Sequence, residues 1–129
     1  MVLVALSLLL LVSCRPPDEG AATAGRLPAG VQGRVELAAP ARIGPAPVTV
    51  YLLDGQEGIT GASVTVTGDM THAGMVPVIA EAHEVAPGEY VADDFAFNMG
   101  GDWFLMANVA LADGTSFELN VPVSVSSGD

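Results

Sequence analysis

The chain has 129 residues, four of them basic and fifteen acidic, and its formal net charge is −11 at pH 7. This length supports a single domain, and the acidic balance argues against nucleic-acid binding and against electrostatic docking on an anionic membrane, since both need basic residues. A single cysteine also excludes an intramolecular disulfide and a zinc site made of cysteines.

The N-terminal segment has the pattern of a secretory signal peptide. The apolar run 2–12 is interrupted only by Ser7 and is too short to span a bilayer, which takes about 20 apolar residues. It ends in Leu11-Val12-Ser13-Cys14, which resembles the lipobox of bacterial lipoproteins, where the cysteine becomes the lipidated first residue of the mature protein. We therefore expect a signal peptide over residues 1–13, lipidation of Cys14 and an extracytoplasmic, membrane-anchored location in the periplasm or cell envelope. The alternative is an ordinary signal peptide that happens to end in cysteine.

The next segment, residues 14–30, is rich in proline, glycine and alanine, and Leu27 is its one bulky apolar residue. Such a composition buries too little surface to offset the entropy lost on ordering. We expect the lipidated cysteine and a flexible tether here, followed by a folded domain over residues 31–129.

From Val31 onward, apolar residues recur with a period of two, which is typical of half-buried strands. Seven short strands are predicted, at about 32–38, 47–53, 62–67, 77–84, 89–97, 102–111 and 115–125. This pattern predicts an all-β fold, an antiparallel immunoglobulin-like β-sandwich. Residues 79–86 could instead form a helical turn by composition. The largest side chains expected in the core are aromatic: Phe95, Phe97, Trp103 and Phe117.

Several short motifs predict how the strands end. Asp54-Gly55 and Asp113-Gly114 are turn signals, and the second predicts a hairpin between the last two strands. Pro122 indicates an edge strand or a bulge, because proline cannot donate to the ladder. A bulge is expected where the alternation breaks at Asp93-Asp94.

The sequence offers little for catalysis, and we expect the protein not to be an enzyme. It has no glycine-rich phosphate loop, and no serine lies in the strand–turn–helix context of a nucleophile. The adjacent carboxylates Asp93 and Asp94 would point to opposite faces of a strand, which makes them a poor acid–base pair.

The most distinctive cluster combines two thioethers and an imidazole. Met70, His72 and Met75 fall within six residues of a glycine-flanked loop, and Met99 lies in a second glycine-rich turn. Thioether sulfur and imidazole are suitable ligands for Cu(I), which is a soft cation. Because thioethers cannot form disulfides, they stay available as ligands outside the cytoplasm.

Each of these residues also has a structural interpretation. Methionine is a common gap filler in cores, so all three methionines could be packing residues. An exposed loop histidine such as His72 often binds no metal ion. His83 is expected to be a surface residue without a metal-binding role. If the loop does ligate a metal, Gly68 and Gly74 would let its backbone bend.

The stretch from Val48 to Val125 resembles the YtkA-like family, small extracytoplasmic immunoglobulin-like domains related to FixH-type proteins. The resemblance rests on three motifs: Gly61-Ala62-Ser63-Val64-Thr65-Val66, then Met70-Thr71-His72-Ala73-Gly74-Met75, then Pro87-Gly88-Glu89-Tyr90 with Phe97-Asn98-Met99-Gly100-Gly101-Asp102-Trp103. Family members are associated with copper handling or cytochrome oxidase biogenesis. The resemblance implies Met70, His72, Met75 and Met99 as ligands, and a loop over 68–76 that meets the 98–101 turn at one end of the sandwich.

Three functional hypotheses follow. The first is a lipid-anchored, extracytoplasmic copper(I)-binding domain that serves copper transfer or oxidase biogenesis, with a membrane-protein or copper-acceptor partner. The second is a metal-free interaction module that presents an edge or loop to a membrane protein. The third is binding of a small hydrophobic or cationic ligand between the two sheets.

Overall fold

The computed structural model describes residues 23–24, 27–70 and 76–127, and it confirms the predicted all-β, immunoglobulin-like antiparallel sandwich. None of the described segments forms a helix that could cross a bilayer. The strands, numbered in chain order, are β1 (Thr23–Ala24), β2 (Val31–Leu37), β3 (Gly44–Pro45), β4 (Val48–Asp54), β5 (Glu57–Gly58), β6 (Ser63–Met70), β7 (Val78–Ala86), β8 (Glu89–Ala92), β9 (Ala96–Phe97), β10 (Gly101–Ala110) and β11 (Ser116–Val125).

The strands follow one hydrogen-bonded path in the order β1-β11-β10-β6-β7-β8-β4-β2, with β5 on β4 and a separate β3–β9 ribbon. β7 belongs to both layers, because residues 78–82 pair with β6 and residues 83–86 pair with β8. The path therefore folds back on itself into two packed layers. At its ends β2 approaches β11: a Cβ atom on Gly33 would lie 2.6 Å from the Leu119 side chain, so the sandwich is nearly closed.

Strands occur at all seven predicted positions, and two predictions of secondary structure need correction. Residues 79–86 form part of β7 rather than a helical turn. The predicted strand 89–97 is divided into β8 and β9, because Asp93 and Asp94 form a turn and not a bulge. Adjacent aspartates favour turns. This turn redirects the chain so that Phe97 pairs with Gly44 of β3.

The β10–β11 hairpin forms as predicted at Asp113-Gly114. The Asp113 Oδ1 atom accepts a hydrogen bond of 2.9 Å from the Thr115 backbone N–H, and Gly114 has a φ of +92°. The Thr115 backbone hydrogen bond lowers the pKa of the Asp113 carboxyl below its ordinary value. Pro122 lies opposite Phe104 in an unbroken β10–β11 register, and the described part of β1 reaches only Asn120 and Leu119. Among the described residues, Pro122 therefore pairs only with β10, and the register there has no bulge.

The predicted aromatic core is confirmed. Phe95, Phe97 and Trp103 are at most 1% exposed, and their rings pack edge to face with centroids 5.1 Å apart in each neighbouring pair. Gly68 makes room for this cluster, since a Cβ atom there would lie 2.5 Å from the Phe95 ring. Gly68 thus belongs to the core face of β6, which continues to Met70. The prediction that Gly68 lets a loop bend is therefore wrong.

The Pro87-Gly88-Glu89-Tyr90 motif ties the β7–β8 turn to the segment after β5. Gly88 has a φ of +79° and passes so close to Gly58 that a Cβ atom would lie 2.6 Å from the Gly58 Cα. The buried Tyr90 hydroxyl donates a 2.7 Å hydrogen bond to the Ile59 carbonyl and accepts a 3.1 Å bond from the Ala62 N–H. Burial raises the Tyr90 pKa above its ordinary value.

Candidate metal-binding end of the sandwich

Two segments singled out by the sequence lie at one end of the sandwich. β6 ends at Met70 and β10 begins at Gly101, and the antiparallel register pairs Met70 with Trp103. The last residue of β6, Met70, and the 98–101 turn that precedes β10 therefore lie at the same end, which we name the Met70 end. The opposite end, which carries the β10–β11 hairpin, is named the hairpin end.

Met70 is a core residue at the rim of this end. Its side chain is 9% exposed, on the same inward face as Val64 and Val66. A Cβ atom on Gly101 would lie only 2.7 Å from the Met70 Cε, and Gly101 has a φ of +130°. The thioether terminus of Met70 therefore lies directly against the end of the 98–101 turn.

Met99 has the opposite environment. Its side chain is 51% exposed, while its backbone carbonyl accepts a 3.0 Å hydrogen bond from the Trp103 indole N–H. The buried indole thus holds the backbone of the turn and leaves the Met99 side chain accessible from solvent.

His72 and Met75, the other two predicted ligands, lie outside the described residues, as does Cys14. The described flanks of the 71–75 segment are Met70 and Val76, and Gly68 pairs with Val78. Both flanks are therefore at the Met70 end. The structure brings Met70 to the 98–101 turn, and the assignment of all four residues as ligands stays a prediction.

The charge around this end suits a cation better than an anion. Asp69 accepts a 2.8 Å hydrogen bond from the Met70 N–H, and Asp102 accepts one of 3.0 Å from the Ser124 hydroxyl. Within the described ranges, histidine, cysteine and carboxylate side chains form no group of three that could hold a metal ion. Met70 and Met99 add thioether sulfurs to this end, a donor type that favours soft ions.

His83 is placed elsewhere. It lies within β7, and its Nε2 atom is 3.2 Å from the Asp93 Oδ2 in an exposed contact. This position agrees with its expected role on the surface.

A depression on the outer face of the β6–β10–β11 layer is not among the sites that the sequence predicts. It has a volume of about 560 Å³, and it is lined by the outward-facing residues Asp69, Phe104, Met106, Asn120 and Pro122, together with the inward-facing residues Met70 and Val121. Phe104 and Met106 alternate with the inward residues Trp103 and Leu105. Two large apolar residues on the solvent side of β10 are therefore the sequence feature that could have predicted this depression. Apolar side chains fill the space between the sheets, where the third hypothesis placed a ligand.

Comparison with known proteins agrees with the motif resemblance. A family model described as YtkA-like matches residues 28–108, which is more than half of the chain and includes both segments at the Met70 end. No curated protein and no solved structure matches the chain. The chain belongs to the YtkA-like family.

Proposed function

We propose that this protein is a lipid-anchored, extracytoplasmic domain that binds Cu(I) at the Met70 end, through Met70, His72, Met75 and Met99. The observation that carries the proposal is the contact between the Met70 side chain and Gly101. This contact joins the two segments that hold all four candidate ligands, although they are far apart in the sequence.

The chemistry of these residues supports a soft monovalent ion. Cu(I) is well matched by thioether and imidazole donors. The chain's one cysteine is assigned to the lipid anchor, so no thiol would compete for the ion in the mature protein. The Asp69 and Asp102 carboxylates add negative charge to this end without forming the oxygen cage that a hard cation requires.

The exposure of the ligands supports a role in copper transfer, such as delivery during oxidase biogenesis. Met70 is almost fully buried, whereas Met99 is half exposed. An incoming acceptor could therefore replace Met99 first while Met70 still holds the ion. The lipobox at Cys14 would keep the domain at the membrane where such an acceptor resides.

The test is an anaerobic Cu(I) titration against a competing chromophoric chelator. We expect one equivalent to bind to the wild type, and we expect the combined variant Met70→Ala, His72→Ala and Met75→Ala to lose binding. Met106→Ala is the matched control, because Met106 lies on the outer face of β10 and is not a candidate ligand. One-to-one binding that survives the triple substitution would refute the proposal.

The outer-face depression favours a second candidate, a metal-free module that contacts a membrane protein. Phe104 is 43% exposed there, beside Met106 and Pro122. This candidate predicts that a membrane complex co-purifies with the wild type, independently of copper chelators and of Met99→Ala, and that Phe104→Ser releases it. Loss of the complex on chelation would instead support the copper proposal.

A further inference from the structure

The described methionines differ strongly in how accessible their side chains are. Met99 is 51% exposed and Met70 is 9% exposed, while Met106 has an intermediate exposure on the outer face of β10. A dissolved oxidant attacks the thioether sulfur, so the susceptibility of a methionine follows its exposure. Of these three residues, Met99 is therefore the one that an oxidant reaches most readily without any opening of the fold.

The environment of Met99 would also let the fold tolerate its oxidation. The Trp103 indole N–H donates its hydrogen bond to the Met99 carbonyl, so the turn is held through the backbone and not through the Met99 side chain. The core cluster includes Met70 but not Met99. A polar sulfoxide at position 99 would stay in water, whereas a sulfoxide at position 70 would place a polar group in the core.

We propose that Met99 is a site of reversible oxidation by peroxides, and that its oxidation weakens Cu(I) binding at the Met70 end while the domain stays folded. The effect on copper rests on the proposed function. The oxidation itself rests on the exposure of Met99 and on the backbone anchoring of its turn.

The reaction transfers one oxygen atom from hydrogen peroxide to the Met99 sulfur. The sulfur attacks a peroxide oxygen, so that an S–O bond forms and the O–O bond breaks. The hydroxide that leaves takes the proton of the transferred oxygen and becomes water. The sulfur is thereby oxidised to a sulfoxide and the peroxide is reduced, and methionine sulfoxide reductases reverse the change.

This oxidation would change the donor that Met99 offers to a metal. The sulfoxide presents a hard oxygen in place of a soft thioether sulfur, which is a poor match for Cu(I). Met70 keeps its thioether because the core covers it. The copper site would therefore lose one donor and some affinity, and it would recover both when the sulfoxide is reduced.

The site of oxidation is tested on the metal-free protein by treatment with hydrogen peroxide and peptide mass spectrometry over time. We expect sulfoxide to form at Met99 about tenfold faster than at Met70, and also faster than at Met106, because buried sulfur reacts only when the structure opens. Unfolding in guanidinium chloride is the control and should bring the three rates together. Equal rates at Met99 and Met70 in the folded protein, or a faster rate at Met106 than at Met99, would overturn the assignment.

The effect on copper is tested by comparing the wild type with Met99→Ala, before and after complete oxidation at position 99 and removal of the peroxide by catalase. The untreated wild type should bind Cu(I) more tightly than Met99→Ala in the competitive titration, and this advantage should disappear after treatment. The comparison cancels any oxidation elsewhere, because both proteins receive the same treatment. A treated wild type that still binds more tightly would overturn the effect of the sulfoxide on copper.

Two outcomes separate the remaining parts of the inference from the copper proposal. Equal Cu(I) binding by the untreated wild type and untreated Met99→Ala would remove Met99 from the copper site and refute the effect on copper, while the mapped oxidation would stand on its own result. The urea unfolding midpoint should fall no more in the treated wild type than in treated Met99→Ala. A larger fall in the wild type would show that oxidation of Met99 damages the fold, which contradicts the proposal.

Discussion

The contact between Gly101 and Met70 can be tested by adding one methyl group. Gly101→Ala has two separate costs. Its φ of +130° strains any residue with a Cβ atom, at about 1–3 kcal/mol. The new Cβ would also lie 2.7 Å from the Met70 Cε, which must move. Because methionine is flexible, we place this second cost at the low end of overpacking penalties, about 1 kcal/mol.

Gly44→Ala isolates the backbone strain. Gly44 has a φ of +117°, and a Cβ atom there would have nothing within 4 Å. We expect Gly44→Ala to lower the free energy of unfolding by the strain alone, and Gly101→Ala to lower it by about 2–4 kcal/mol. For a domain of this size, that loss corresponds to a fall in Tm of roughly 10–20 °C.

The measurement is urea unfolding followed by the fluorescence of Trp103, the chain's one tryptophan. The same two alanine substitutions are then introduced into a Met70→Ala background. There the excess cost of Gly101→Ala should vanish, because the methyl group that it displaces is gone, while the cost of Gly44→Ala should not change. If Gly101→Ala and Gly44→Ala cost the same in the wild-type background, Met70 does not pack against Gly101, and the geometry that joins the proposed ligands is wrong.

Three other residues give predictions that unfolding experiments check; Trp103→Ala lacks the fluorophore, so its unfolding is followed by far-ultraviolet circular dichroism. Tyr90→Phe removes the hydroxyl that bridges residues 59–62 and should cost about 1–3 kcal/mol. The pKa of Tyr90 is raised in the folded state, so the protonated hydroxyl stabilises the fold. This stabilisation is fully present below about pH 10 and decreases as the pH rises above about 10. Tyr90→Phe should abolish this decrease in stability at high pH. The pKa of Asp113 is lowered, so its contribution is present above about pH 4 and disappears as the pH falls; Asp113→Ala should remove this acid-side dependence, whereas a wild-type slope in Asp113→Ala would contradict it. Trp103→Ala should abolish folding, since loss of a buried aromatic costs about 3–5 kcal/mol of a total of roughly 5–15; a cooperatively melting variant would refute this.

The strands were predictable because each layer has one buried face. The alternation of Phe117, Leu119, Val121 and Val125 with polar neighbours is a local property of the sequence and needs no knowledge of the partner strands. In β6, every second residue from Val64 to Met70 faces the core. The burial of Met70 could therefore have been predicted from this alternation in the sequence.

Long-range contacts could not be predicted in this way. The sequence predicts a bulge at Asp93-Asp94 instead of the observed turn, because only the pairing of β9 with β3 shows that the chain changes direction there. The pairing of Thr23 and Ala24 uses backbone groups in a segment without an apolar pattern, so it leaves no periodic signal. The approach of Gly101 to Met70 depends on the β6–β10 register, which the periodicity of either strand alone does not give.

The burial of Met70 reconciles its two interpretations, as a packing residue and as a ligand. A methionine already held in the core has lost most of its rotamer freedom on folding, so binding a metal would cost it little further entropy. Met99 is half exposed and would have to be ordered by the ion. The two residues should therefore respond differently to truncation, although both are proposed ligands.

Met70→Ala should lower the free energy of unfolding of the metal-free protein by about 2–5 kcal/mol and also weaken Cu(I) binding. Met99→Ala should change the metal-free stability by no more than about 0.5 kcal/mol while it too weakens Cu(I) binding. Urea unfolding and the competitive titration, performed on the same preparations, separate these effects. A Met99→Ala variant that binds Cu(I) as tightly as the wild type would remove Met99 from the site. If Met99→Ala also destabilised the metal-free protein as much as Met70→Ala, Met99 would be a packing residue of the Met70 end.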